Sequence, residues 1–149
     1  MGIERDIDIG MVAVPYPERQ EIFGKLNEAG FKIFASTGLL FEEYNTVYNH
    51  FKIALVKSAC GDVPQRFLEG MAQGCCVLSD RPMVDADKLG FVAGVDYWPY
   101  TTADEAVQEA RMLLETGKWR EISANGKHKV IGHEWDARAR TVLDTLELI

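Results

Sequence analysis

The sequence predicts an α/β protein: a doubly wound, mostly parallel, Rossmann-like sheet flanked by helices, with further helices at the C-terminal end. Three observations predict it. Short apolar runs punctuated by Gly and Pro alternate along the chain with longer segments of helical period. Strands that alternate with helices pair in parallel, and right-handed crossovers then place helices on both faces of one sheet. The 149-residue chain has 47% hydrophobic and 26% charged residues, enough for one real core and the mix of a globular chain.

The elements follow in order. "DIDIGMVAV" (residues 6–14) alternates and then becomes continuously apolar, as a strand entering a covered sheet does. "PYPERQEIFGKLNEAG" then reads as a helix, with prolines at its start, Ile22, Phe23 and Leu26 at helical spacing, and Gly30 as its stop. Residues 31–36, "FKIFAS", form a second short strand and "TGLL" a loop. "FEEYNTVYNH" is a helix with Tyr44, Val47 and Tyr48 on one face, and residues 51–58, "FKIALVKS", are a third strand.

The next helix covers about 64–73. On it Phe67, Leu68, Met71 and Ala72 are expected to face the core, leaving Arg66, Glu69, Gly70 and Gln73 on another stripe. Gly74 stops it, and residues 75–79 are a fourth, buried strand. A weaker fifth strand near 97–99 precedes a well-capped amphipathic helix over 103–115. The tail reads as two helices divided near Gly132 and His133. With no repeat or linker, residues 1–149 are expected to form a single domain.

The formal charge of -7 argues against nucleic acid as a partner, because phosphate backbones demand clustered Lys and Arg, though it leaves room for a local basic pocket. Three cysteines with no CxxC or HxxxH spacing predict free thiols, with Cys75 and Cys76 buried, and no metal site. No apolar run approaches the roughly 20 residues of a transmembrane helix, and "MGIERDIDIG" lacks a signal-peptide layout, so a cytoplasmic protein is expected.

In a doubly wound sheet, ligands sit beyond the carboxyl ends of the strands, which here means the loops at 14–17, 36–40, 57–64 and 80–84. These loops carry no GxGxxG, no GxxxxGK[ST] and no GxSxG, and the acidic residues of a response regulator are missing. What remains is "SACGDVP", which opens a helix whose unpaired N–H groups and dipole could seat a diphosphate beside Gly61. On that helix Arg66 could reach back to a phosphate, while Glu69 could accept hydrogen bonds from ribose hydroxyls. Spacing alone is equally that of an exposed helix pair, worth about 0.3–0.5 kcal/mol.

The stretch "DVPQRFLEGMAQGCCVLSDRP" resembles the donor-binding half of the group 1 glycosyltransferases of the GT-B fold, through Glu69, Gly70, Met71, Ala72, Gly74, Val77 and Asp80. The resemblance extends from the first strand to the tail, where a His precedes a final helix carrying Arg138. It implies a nucleotide-diphosphate-sugar donor as substrate, with no separate cofactor. By the same resemblance Glu69 would hold the ribose, and Arg66 with the backbone of Gly61, Asp62 and Val63 would hold the diphosphate. Arg19 is a further diphosphate candidate, the Ser36 to Gly38 loop would meet the base, and Asp80, Arg81 and Pro82 open onto the same place.

Two departures from the family pattern stand out. Where many relatives carry a second glutamate facing the sugar, this chain has Gly61, with Asp62 beside it. The family's N-terminal domain, which binds acceptor and supplies the base, has no room in 149 residues, so a separate acceptor domain or subunit is implied and no catalytic residue is assigned. The alternative is a free-standing nucleotide-binding or regulatory module of the same fold. His50, His128 and His133 are expected to be structural or solvent-facing, and Trp98, Trp119 and Trp135 to be packing anchors.

Overall fold

The computed structural model describes residues 4–81 and 85–147. Five strands, β1 (Ile7–Val12), β2 (Ile33–Ser36), β3 (Phe51–Val56), β4 (Cys76–Asp80) and β5 (Trp98–Tyr100), form one sheet in the order β2-β1-β3-β4-β5. Every pairing between these strands is parallel, so the expected mostly parallel sheet is parallel throughout the described residues. The helices are α1 (Pro17–Glu28), α2 (Phe41–His50), α3 (Gln65–Ala72), α4 (Ala103–Thr116), α5 (Trp119–Lys129) and α6 (Trp135–Thr145). Strand order reverses between β1 and β3, which leaves a crevice at their carboxyl ends.

Alternate residues of the buried strands feed two cores. Ile53 and Leu55 of β3 join α1 and α4 through Leu26, Ala110 and Leu113 on one face. Ala54 and Val56, with Phe51 at the start of the strand breaking the alternation, join Tyr48 of α2 and Phe67 and Met71 of α3 on the other. Period-two alternation between two apolar faces explains why these strands read as unbroken hydrophobic runs.

Helix α3 is set differently from the expected stripe. Phe67, Gly70 and Met71 are its buried residues, whereas Leu68 is half-buried and Ala72 exposed. Gly70 turns inward because α3 lies close on the sheet: a Cβ there would come 3.1 Å from Ala54 Cβ and from a methyl of Val77. The small residue after Glu69 is thus a packing requirement of this chain.

The amino ends of the strands are sealed. Arg5 donates from Nη1 to the carbonyls of Tyr48 and Phe51 and from Nη2 to that of Gln73, tying α2, β3 and the end of α3 together. Asp6 meets Lys32 and His50, and Asp8 meets Lys52. Helix α5 runs past this edge with Gly126 so close to the Asp96 carbonyl that a Cβ would stand 2.6 Å from it.

Cys75 and Cys76 are buried free thiols, and burial pushes Cys75 up to about 11 and Cys76 further. Trp119 packs into the core, and Trp98 donates its N–H to Glu109 at 2.6 Å. Trp135 departs from the anchor expectation: it is 78% exposed, because α6 buries none of its residues. No helix among the described residues is long and apolar enough to cross a membrane.

Candidate functional site

The carboxyl ends of β3 and β4 are organised by Asp80, the last residue of β4 and 5% exposed. Its carboxylate accepts from the Ser58 amide at 2.8 Å, the Ser58 hydroxyl at 3.0 Å and Lys57 Nζ at 2.9 Å. Ser58 Oγ in turn accepts the Gly61 N–H at 3.0 Å, and Gly61 takes φ +73, a left-handed conformation that glycine adopts freely. One buried carboxylate therefore shapes the loop that leads into α3. Asp80 works from beneath the site, as its organiser.

Two arginines converge on the backbone oxygen of Lys57. Arg19 donates to it from Nε (3.1 Å) and Nη2 (2.8 Å), and Arg66 from Nη2 (3.4 Å). Arg19 also bonds the Val14 carbonyl at 2.8 Å, lies 4.7 Å from the Tyr16 ring centroid, and is 4% exposed. Burial, and after it the charge of Arg66, pull the Arg19 guanidinium below its usual pKa. Arg66 Nε is buried and has no protein hydrogen-bond partner among the described residues. Leaving such a donor unpaired costs about 1–3 kcal/mol.

Arg66 and Glu69 form no ion pair among the described residues. Glu69 instead accepts a hydrogen bond from the Tyr44 hydroxyl of α2 at 2.6 Å. Desolvation, then the neighbouring Tyr48 and the bond to Glu69, drive the Tyr44 phenol far above its ordinary pKa, which keeps it a donor.

The structure gathers Arg19, Arg66, Asp80 and Gly61 around residues 57–58. Ser36 shares a pocket of about 230 Å³ with Arg19, at the ends of β1 and β2. Gly38 lies beyond it at φ +76, exposed. Glu69 and Val63 line a separate groove of about 690 Å³ between α3 and α6. There His133 packs on Phe91 and meets Arg138 Nη2 through Nδ1 at 2.6 Å; burial, then Arg138 and Lys129, lower its pKa. Asp62 and Arg81 are exposed, and Arg81 bonds the Tyr100 carbonyl through its amide. Pro82 lies outside the described residues. Among the described residues no cluster of His, Cys, Asp and Glu could hold a metal.

Sequence reasoning passed over Lys57, Ser58 and Tyr44. Lys57 and Ser58 carried a signal, since they are the first polar residues after the apolar run Ile53 to Val56 at the ligand edge. Tyr44 carried none: its partner is 25 residues away.

The family model described as "Glycosyl transferase-like" matches residues 11–144. The chain belongs to that glycosyl transferase-like family. Among solved structures it resembles the C-terminal domain of a group 1 family glycosyl transferase, LpcC, from Francisella tularensis, with 16% identity, a TM-score of 0.62 and 83% of each chain covered. It also resembles sucrose-phosphate synthase from Thermosynechococcus elongatus, with 18% identity and a TM-score of 0.66, covering 93% of this chain and 37% of that one. No curated protein matches it in sequence. Within the glycosyl transferase-like family, then, this chain has the fold of a group 1 C-terminal domain.

Proposed function

We propose that this glycosyl transferase-like domain binds the nucleotide-diphosphate sugar donor of a glycosyl transfer reaction, and that a facing acceptor domain or subunit completes the cleft. One observation carries the reading. In a chain of net charge -7, Arg19 and Arg66 meet on the Lys57 carbonyl at the ligand edge of the sheet, beside the Lys57–Asp80 pair, and among the described residues Arg66 keeps a buried N–H without a protein partner. Such a surplus of positive charge suits a diphosphate, whose oxygens accept charge-assisted hydrogen bonds from guanidinium and ammonium groups.

The roles follow from position. Arg66 and Lys57 take the diphosphate, with the amides of Asp62 and Val63 ahead of α3. The Gly61 amide is already held by Ser58, and Arg19 is largely committed to backbone carbonyls, so it braces the site. Glu69 takes the ribose hydroxyls, and the Ser36 to Gly38 loop meets the base. The charge held on the diphosphate is the charge that develops as the glycosidic bond to the donor breaks, so the same cations support departure of the nucleotide.

Titration of the protein with UDP, GDP and ADP by calorimetry or NMR tests the reading. Binding of at least one at millimolar concentration or tighter is expected, and Arg66→Ala should weaken the diphosphate about tenfold while sparing the bare nucleoside. Silence toward all three diphosphates would remove the donor assignment.

A further inference from the structure

Glu69 is built to accept from Tyr44, and that pairing assigns a role to a residue outside the glutamate helix. The Tyr44 hydroxyl donates to Glu69 Oε2 at 2.6 Å, and among the described residues no other side chain bonds or ion-pairs with that carboxylate. The tyrosine is itself held. Its ring stacks on Tyr48 with centroids 4.4 Å apart and planes at 26°, and Tyr48, 1% exposed, leans on Phe51 at 5.0 Å. A second tie between the same helices, Gln73 Nε2 to Asn45 Oδ1 at 2.7 Å, fixes the spacing of α2 and α3.

We propose that Tyr44 is a positioning residue of the donor site: its hydroxyl anchors one oxygen of Glu69, so that the carboxylate meets the ribose hydroxyls in a fixed orientation. This rests on the donor-site reading above. A glutamate free to rotate loses side-chain entropy when it takes a ligand, and one tethered through a stacked ring loses less. The tether leaves the second carboxylate oxygen without a protein donor, which is what two vicinal hydroxyls require of an acceptor. Tyr44 also lies in the first turns of α2, shortly after the Ser36 to Gly38 loop expected to meet the base, so it joins the base end of the site to the ribose end.

The test compares a ribonucleoside diphosphate with its 2′,3′-dideoxy form on wild type, Tyr44→Phe, Glu69→Ala, the double variant and Gln73→Ala. Wild type should prefer the ribo form. Tyr44→Phe, which keeps the stacked ring, should weaken the ribo form about fivefold and leave the dideoxy form unchanged. Glu69→Ala should erase the preference, and adding Tyr44→Phe to it should change nothing more. Gln73→Ala should keep the preference, because it breaks only the helix tie. If Tyr44→Phe weakens both ligands equally, or Gln73→Ala erodes the preference as much, Tyr44 is a structural bridge and the inference falls while the donor site stands. If wild type binds neither ligand, the donor-site reading falls and takes this one with it.

Discussion

The two edges of the sheet are built from the same kinds of groups to opposite ends. At the amino edge Arg5 spans three carbonyls, and Asp6 and Asp8 are matched by Lys32, His50 and Lys52. At the carboxyl edge Lys57 alone pairs with the Asp80 carboxylate, two guanidinium groups share one carbonyl, and a buried N–H has no protein partner among the described residues. The first edge is saturated and holds the fold. The second is left under-satisfied, the condition in which a polar site gains by taking a ligand.

The largest effect expected from that contrast is at the closed edge. Gly126→Ala would drive a methyl against the Asp96 backbone oxygen and should cost about 2–3 kcal/mol in denaturant unfolding, with nucleotide binding per folded molecule unchanged. Arg5→Ala strips charged donors from the three carbonyls and should cost about 1.5–3 kcal/mol by the same measurement. At the open edge, Arg66→Ala should move stability by less than about 0.5 kcal/mol, since the change also removes an unpaired buried donor. A stability loss as large as that of Arg5→Ala would break the comparison.

A subtler test uses acid. Lys32, then His50, hold the Asp6 carboxyl down to about 2 from an ordinary value of 3.8. Because the folded state favours the ionised form, this contribution is complete above the ordinary carboxylate range and is lost as pH falls from about 4 toward 2. Asp6→Asn should flatten that part of the stability profile by lowering the neutral region slightly and leaving the acid end near pH 2 unchanged, which thermal melts from pH 2 to 7 would show. A change of opposite sign is expected at Phe41, 85% exposed with φ +48, where Phe41→Gly relieves a left-handed conformation and should stabilise the chain by up to about 1 kcal/mol in thermal melts.

The strands and helices were legible because their periods are local. Ile53, Leu55 and Val56 announce a covered strand without reference to anything else, and Gly30, Gly74 and Gly117 mark helix ends where the structure has positive φ. The facing of α3 was not legible. An eight-residue helix offers two overlapping apolar stripes, and the choice of Phe67, Gly70 and Met71 over Leu68 and Ala72 is made by Ala54 and Val77 on the sheet beneath. The site divides the same way. Asp80, Arg66 and Gly61 could be named from strand ends and a helix start, whereas the Tyr44 bond to Glu69 and the meeting of Arg19 with Arg66 depend on how distant segments pack.

The Lys57 carbonyl is a junction. A single peptide oxygen takes donors from α1 and from α3, so the two helices are wired through it in series. Arg19 carries the link onward, since its other bond reaches the Val14 carbonyl and its face covers Tyr16, so one oxygen joins α1, α3 and the loop after β1 across the crevice where strand order reverses.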